Sequence, residues 1–209
     1  MKVGVLLFNL GGPETLQDVK PFLYRLFSDP EIIRIKWGPA RKALAYTIAT
    51  LRRKKSEGYY RQIGGGSPLR RLTEEQALAL AGELRARGRD VETFVGMCTW
   101  HPFLSEAADR IEKSDIESLI ILPLFPQYSV TTTGSGFSAL RSLIDSRPSF
   151  KKLAVQWVCS WADQPSYIGS FEQSIRRELA KFNNPDSVHL LFSAHSIPES
   201  YVRKYDTFH

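Results

Sequence analysis

The sequence has 209 residues, of which 43% are hydrophobic and 24% charged, with a net charge of +6. This composition is sufficient for a hydrophobic core in one large domain or two small ones. No stretch approaches the roughly 18 consecutive apolar residues of a membrane span, and the apolar N-terminus lacks the cleavage site of a secretory signal. The cysteines Cys98 and Cys159 stand far apart in no paired motif, which argues against a disulfide framework and against a cysteine-rich zinc or iron–sulfur site.

Short apolar runs alternate with amphipathic segments along the whole chain. The predicted strands are Val3–Asn9, Val91–Met97, Ser118–Phe125, Leu153–Val158 and Ser187–Phe192. The predicted helices are Thr15–Phe27, Thr73–Arg87, Pro102–Lys113, Gly134–Ser146 and Pro165–Phe182. This order predicts right-handed βαβ units, and therefore an α/β fold with doubly wound parallel sheets. A change of composition near Lys113–Ser118 predicts two α/β domains, residues 1–115 and residues 116–209.

The start and end of one predicted helix have recognisable signals. Thr73 followed by Gln76 is typical of a capping box, with Gly88 as the helix stop.

Residues 31–58 are basic and amphipathic and could form a helix. Within them, the run Arg52–Lys55 is most often a solvated face, but such a run can also meet anionic lipid, nucleic acid or an acidic small molecule.

Ligands of open parallel sheets bind beyond the carboxyl ends of the strands. Four segments are predicted there: Leu10–Pro13, Thr99–Pro102, Pro126–Ser129 and Ser193–Ser196. The last contains His195, predicted just past a buried strand, where a histidine can be a cap, a core residue, a general base or a metal ligand. For His101, capping or packing is the better interpretation, since it precedes a proline at a helix start.

Five stretches together resemble the ferrochelatase family, whose members insert ferrous iron into a porphyrin to complete haem. They occur in the family's order and spacing and cover essentially the whole chain. The stretches are "LLFNLGGPET" (6–15), "YRQIGGGSPL" (60–69), "GMCTWHPF" (96–103), "LPLFPQYSVTTTGS" (122–135) and "LFSAHSIPESYVRK" (191–204). The resemblance implies two Rossmann-like chelatase domains, the second incomplete.

The resemblance also implies a reaction and a set of site residues. The expected reaction is Fe²⁺ insertion into protoporphyrin IX, with His195 as the residue that takes a pyrrole proton, binds the metal, or does both. Iron is then a substrate, and no permanently bound cofactor is expected. The family's porphyrin contacts fall on Leu10, Arg52, Tyr60, Ser67, Tyr128 and Trp161.

The same resemblance makes residues 31–58 the lip of the porphyrin pocket. In membrane-associated members this lip dips into the bilayer, which suits its basic, amphipathic character. We therefore expect a cytoplasmic protein that can lie peripherally at the inner membrane. No nucleic-acid partner is expected, because the single basic run lacks the interleaved aromatic side chains of single-strand binders.

The sequence departs from the family pattern at Cys98-Thr99, in its length, and in the ending Tyr205–His209, which differs from the family's usual Val-Arg-Lys-Gly-Asp-Pro-Tyr. Cys98-Thr99 stands where the family usually has an Arg-Tyr pair that lines the pocket. Val130 occupies the position of a cysteine that helps hold an iron–sulfur cluster in some members, so no such cluster is expected. Family members extend well beyond the stretch 191–204, which implies a C-terminally truncated member without the glutamate that faces His195.

These departures keep alternatives open. The chain could bind porphyrin, or a membrane surface, without turnover. It could also act on coproporphyrin, although members of that group usually have tyrosine where Leu10 stands.

Overall fold

The computed structural model describes residues 1–205 and contains one parallel four-stranded sheet with helices on both faces. The strands are β1 (Val3–Asn9), β2 (Val91–Met97), β3 (Ser118–Pro123) and β4 (Ala154–Trp157). The helices are α1 (Val19–Ser28), α2 (Gly38–Gln62), α3 (Leu69–Ala86), α4 (Leu104–Glu112), α5 (Ser135–Asp145), α6 (Pro165–Leu179) and α7 (Glu199–Tyr205). The predicted α/β class with parallel strands is therefore confirmed.

Strand β1 lies at the centre of the sheet, whose order is β2-β1-β3-β4. Val3 is opposite Val91 on one side and Ser118 on the other. Successive side chains of a strand point to opposite faces. Phe8 therefore packs on the face covered by α4 and α5, whereas Leu7 packs on the face covered by α3.

A third apolar cluster joins α1 to α2 beside the sheet. Val19, Phe22 and Leu23 of α1 pack against Ala49 of α2. The preceding segment is fixed to the start of α2 by Arg41, which donates hydrogen bonds to the carbonyl oxygens of Ser28 and Ile35 at 2.9 and 2.7 Å. The amphipathic stretch 31–58 thus contains a helix, as its pattern allowed, although α2 begins at Gly38 and continues to Gln62.

The predicted boundary between residues 115 and 116 does not separate two sheets. Strand β3 follows this boundary, yet it pairs with β1 from Val3↔Ser118 to Phe8↔Pro123. The polar residues near Lys113–Ser118 are the connection between α4 and β3, not a linker. The division of the longer family fold into two domains remains a prediction.

The prediction of a strand over Ser187–Phe192 is wrong for this structure. Residues 188–198 are irregular, and the side chains of Leu191 and Phe192 are 94% and 81% exposed. A strand forms only where a neighbour can pair with its backbone. Within residues 1–205, no strand lies beside residues 187–192 and pairs with them, so the apolar run has no backbone partner.

The predicted capping box at Thr73 is also wrong. Helix α3 begins four residues earlier, at Leu69, where the Ser67 hydroxyl accepts a hydrogen bond from the Leu69 amide at 3.3 Å. Thr73 lies inside the helix, fully buried, and its hydroxyl oxygen accepts a hydrogen bond from the Asn9 side-chain amide at 3.3 Å. The predicted stop is confirmed, because Gly88 adopts a φ of +75° just after the helix.

Candidate functional site

A cavity of about 580 Å³ opens at the carboxyl edge of the sheet. The loops after β1 and β3 form two of its walls, and residues 195–201 form a third. The lining residues are Leu10, Leu26, Ile32, Leu124, Phe125, Pro126, Gln127, Ser129, Thr131, Thr132, His195, Ser196, Ile197, Pro198 and Tyr201. This volume lies within the range of small-molecule pockets, and its position agrees with the edge predicted for ligand binding.

His195 lines this cavity, but the segment that precedes it does not have the predicted structure. It follows an irregular, exposed segment instead of a buried strand. Its place depends on helix α7, whose Tyr201 hydroxyl donates a hydrogen bond to the carbonyl oxygen of Ile32 at 3.2 Å. The Arg34 guanidinium also lies 5.3 Å from the centroid of the Tyr201 ring. The segment before α2 therefore helps to hold the His195 wall.

One side of the cavity is polar because a π-helical turn, Val130–Gly134, precedes α5. The Ser129 hydroxyl oxygen accepts a hydrogen bond from the Thr131 amide at 3.3 Å, and the two hydroxyls lie 3.1 Å apart. The Thr132 hydroxyl donates to the Ser129 carbonyl oxygen at 3.3 Å. The lining also contains apolar side chains, among them Leu10, Leu26 and Ile32. The cavity therefore suits an apolar molecule that also carries polar groups.

Of the seven predicted site residues, the structure brings only Leu10 and His195 to this cavity. Arg52 is exposed on α2, with its guanidinium 5.9 Å from the centroid of the Phe27 ring. Tyr60, near the end of α2, packs on the cluster that joins α1 and α2, and burial raises the pKa of its phenol. Ser67 lines a separate cavity of about 400 Å³.

Tyr128 and Trp161 also line other cavities. Tyr128 borders a cavity of about 790 Å³ along α5. The Trp161 indole donates a hydrogen bond to the carbonyl oxygen of Pro123 at 2.8 Å, and its ring packs edge-on against Tyr167 with 4.9 Å between centroids. The roles of these residues in porphyrin binding remain predictions.

Ser67 is nevertheless held firmly next to the end of β1. Its amide donates a hydrogen bond to the carbonyl oxygen of Pro13 at 2.7 Å. The neighbouring Gly66 lies so close to this loop that an added Cβ would be 2.0 Å from the carbonyl oxygen of Glu14. The salt bridge between Arg70 and Glu14, at 3.0 Å, joins the same two segments.

His101 has the structural role favoured by the sequence. Its Nδ1 lies 2.9 Å from a carboxylate oxygen of Glu106, and its ring packs on Phe103 with 4.1 Å between centroids. The Glu106 carboxylate also accepts a hydrogen bond from the Phe103 amide at the start of α4. His101 therefore stabilises the start of this helix and lies outside the His195 cavity.

Comparison of the sequence with known proteins shows which family the chain belongs to. The sequence model of the ferrochelatase family matches residues 2–209. The chain belongs to the ferrochelatase family. A ferrochelatase of Gloeothece citriformis is 50% identical over 201 residues, which are 96% of this chain and 52% of the relative. The corresponding protein of Gloeobacter violaceus is 51% identical over 96% of this chain and 62% of its own length.

A third ferrochelatase, from Synechocystis sp., is 49% identical over 96% of this chain and 52% of its own length. The chain thus spans about half the length of most of these relatives. The family resemblance that the sequence motifs indicated is confirmed by these matches.

The site contains residues that the motif comparison did not single out. Ile32 and Tyr201 hold the His195 wall, and Ser129 and Thr131 form the polar side. The available signal was that Ser129 and Thr131 lie in the ferrochelatase-like stretch 122–135, and Tyr201 in the stretch that contains His195. Its contact with Ile32 joins distant parts of the chain, so periodicity could not have predicted it.

Proposed function

We propose that this chain is part of a ferrochelatase that inserts Fe²⁺ into protoporphyrin IX to form protohaem. The observation that carries the proposal is the meeting of Leu10 and His195 at one cavity, in a chain of the ferrochelatase family. The macrocycle would lie along the apolar wall, with one face toward Leu10. Within residues 1–205, His195 is the only histidine on the cavity wall, and no Asp, Glu, Lys or Arg side chain lines it.

The chemistry requires a base near the macrocycle. Two pyrrole N–H protons leave as Fe²⁺ enters, so a group that is neutral at working pH can accept a proton. Imidazole has this property, and it is also a suitable ligand for Fe²⁺. The proposed role of His195 is to take a pyrrole proton, to bind the incoming iron substrate, or to do both in turn.

The remaining predicted contacts are proposed for the porphyrin and its propionates. Arg52 forms no ion pair within the described part of the chain, which leaves its guanidinium available for a carboxylate. Tyr60 and Ser67 are proposed as hydrogen-bonding groups, and Tyr128 and Trp161 as further pocket wall. No bound cofactor is proposed, and with Val130 at the cysteine position of cluster-containing members, no iron–sulfur cluster either.

Helix α2 is proposed to contact the surface of an anionic membrane from the cytoplasmic side. It contains seven basic residues and one acidic residue, and it exposes Tyr46, Leu51 and Tyr59 beside them. This combination is typical of interfacial helices. None of the helices in residues 1–205 is both long and apolar enough to cross a membrane. Nucleic acid is not proposed as a partner.

A second candidate function is porphyrin binding without turnover. Two observations favour it. Among residues 1–205, no carboxylate lines the cavity next to His195, and no group of three or more His, Cys, Asp or Glu side chains could hold a metal ion. In this case the porphyrin would bind along the apolar wall, but no second group would assist proton removal.

Anaerobic Fe²⁺ insertion by the purified chain, beside its His195→Ala variant, tests the first function. Insertion that disappears in the variant supports it, whereas equal insertion in both proteins contradicts the role of His195. Saturable porphyrin binding without insertion supports the second function. Parallel assays with protoporphyrin IX and coproporphyrin identify which porphyrin is used.

A further inference from the structure

A second cavity, of about 410 Å³, lies between α1, α2 and the loop after β2. It shares no lining residue with the His195 cavity. The backbone separates the two, because the Thr99 amide donates a hydrogen bond to the Leu10 carbonyl oxygen at 2.9 Å. Thr99 faces the second cavity and Leu10 the first, so the cavities are neighbours with different walls.

Two cationic side chains line this cavity from different helices. Arg25 extends from α1 and Lys42 from α2. Neither forms an ion pair with an acidic side chain within residues 1–205, although many other basic side chains of this protein do. Two unpaired cations facing one cavity repel each other, and a bound anion would relieve this repulsion.

The other charged side chain of the cavity, Asp29, offsets only one of these two positive charges and forms no ion pair with either cation. Asp29 also lines it, but both of its carboxylate oxygens are engaged, one by the Glu31 amide at 2.8 Å and the other by the Ser135 hydroxyl. The Cys98 thiol is neutral at physiological pH, because burial raises its pKa to about 12. The lining therefore holds two cations and a single carboxylate that already has partners.

The cavity also provides an apolar surface and a free hydroxyl. The Arg25 guanidinium lies over the Phe103 ring, with 4.6 Å from its central carbon to the ring centroid. A guanidinium presents its N–H donors as a planar fork, which matches the geometry of a carboxylate or phosphate. The buried Thr99 has a hydroxyl with no hydrogen-bond partner among the described residues.

We infer that this cavity binds a small organic anion, with one carboxylate or phosphate group between Arg25 and Lys42 and its apolar part against Phe103. The volume is too large for the anionic group alone and is within the range of small-molecule sites. This site shares no lining residue with the His195 cavity, although it includes Cys98-Thr99, where the family has a pocket-lining pair. Its occupation does not depend on iron insertion.

Calorimetric titration of the 209-residue chain with benzoate, phenyl phosphate and benzamide tests this inference at low ionic strength. Benzamide has the shape of benzoate without its charge. We expect saturable binding of benzoate, phenyl phosphate or both, and none of benzamide. A preference between the two anions distinguishes a carboxylate ligand from a phosphate ester.

Substitutions locate the binding. Arg25→Gln and Lys42→Gln should each weaken anion binding at least about tenfold, the usual cost of losing a charge-assisted hydrogen bond. Lys54→Gln, also on α2 but outside the cavity, removes the same charge and should leave the affinity unchanged. Arg25→Gln could unfold the protein through loss of the contact with Phe103. In that case the effect of Lys42→Gln on anion binding still tests the inference, because Lys42 is exposed.

Three results would overturn the inference. They are the absence of saturable binding of both anions, binding of benzamide as tight as that of benzoate, and equal loss of affinity in Lys54→Gln and Lys42→Gln. The last result would indicate a general effect of net charge.

Discussion

The Tyr201 hydroxyl and the Ile32 carbonyl oxygen are joined by a hydrogen bond of 3.2 Å between residues that are far apart in the sequence. This bond connects helix α7, which follows the His195 segment, to the segment that precedes α2. Both residues also line the His195 cavity. The shape of the cavity therefore depends on a contact between the end of the described chain and the loop after α1.

Tyr201→Phe should loosen this contact. The loss of one hydrogen bond costs about 1 kcal/mol, so helix α7 should detach about fivefold more often. Trypsin cleavage after Arg203 and Lys204 measures this detachment, because the protease needs a locally opened chain. Tyr59→Phe is the matched control, since it removes an exposed hydroxyl from α2. Equal cleavage rates for Tyr201→Phe and the unsubstituted protein would contradict the proposed role of the bond.

Gly66→Ala should destabilise the protein. The new Cβ would lie 2.0 Å from the Glu14 carbonyl oxygen, a backbone atom that cannot move without disturbing the loop after β1. We expect a loss of about 1–3 kcal/mol in the free energy of unfolding, measured by urea denaturation.

Gly82→Ala is the matched control for Gly66→Ala. Gly82 lies inside α3 with open space around its Cβ position. Alanine is favoured over glycine in a helix by roughly 0.5–1 kcal/mol. This variant should therefore be more stable than the parent protein. A Gly66→Ala protein as stable as the parent would show that the loops do not pack as closely as described.

Cys98 and Cys159 should differ strongly in reactivity. Burial, and secondarily the Asp29 carboxylate, raise the pKa of the Cys98 thiol to about 12, whereas Cys159 is exposed. The thiolate is the reactive form. Iodoacetamide at pH 8 should therefore modify one cysteine per folded chain and two after denaturation. In Cys159→Ser, labelling of the folded protein should nearly disappear; rapid labelling there would contradict the raised pKa of the Cys98 thiol.

The raised pKa of the Cys98 thiol also predicts how the free energy of unfolding changes with pH. The Cys98 thiol stays protonated in the folded chain, whereas in the unfolded chain it loses its proton near the ordinary value of 9.0. Its contribution to stability is therefore complete below pH 9 and decreases as pH rises from 9 toward 12. Denaturation curves of the parent and Cys98→Ser should diverge in this interval. Parallel curves would show that the thiol does not titrate differently in the two states.

The proposed membrane contact of α2 depends on its basic residues. Lys54→Glu combined with Lys55→Glu should reduce co-sedimentation with vesicles that contain phosphatidylserine at least about tenfold, since each cation near such a surface contributes about 1 kcal/mol. Lys151→Glu with Lys152→Glu, in the turn before β4, is the charge-matched control. Neutral vesicles should bind both variants equally weakly. If both double variants lose binding to the same extent, net charge rather than α2 is responsible.

The central strands could be predicted from the sequence because their burial is encoded locally. Val3–Asn9 and Val91–Met97 agree with the structure to the residue, since both are apolar runs that end at turn residues. The prediction at Ser187–Phe192 was wrong although its pattern is just as apolar. Local pattern shows what a segment can bury, but it does not show whether a partner is present to cover it.

The candidate site was predictable only in part, for the same physical reason. The edge of the sheet followed from the α/β rule, and Leu10 and His195 followed from the family motifs. The tie between Ile32 and Tyr201, and the interior position of Thr73, depend on contacts between distant segments. The separation of Arg25 and Lys42 from the His195 cavity likewise depends on how α1 and α2 pack, which their individual patterns do not specify.

The central position of β1 has a consequence for synthesis on the ribosome. This strand is made before its partners β2 and β3, and Val3 pairs with Val91 and Ser118. The apolar residues of β1 therefore stay unpaired until the residues up to Met97 have been made. Such distant pairings also slow the search for the native topology. The nascent chain is thus most in need of chaperone protection early in translation, before Met97 leaves the exit tunnel.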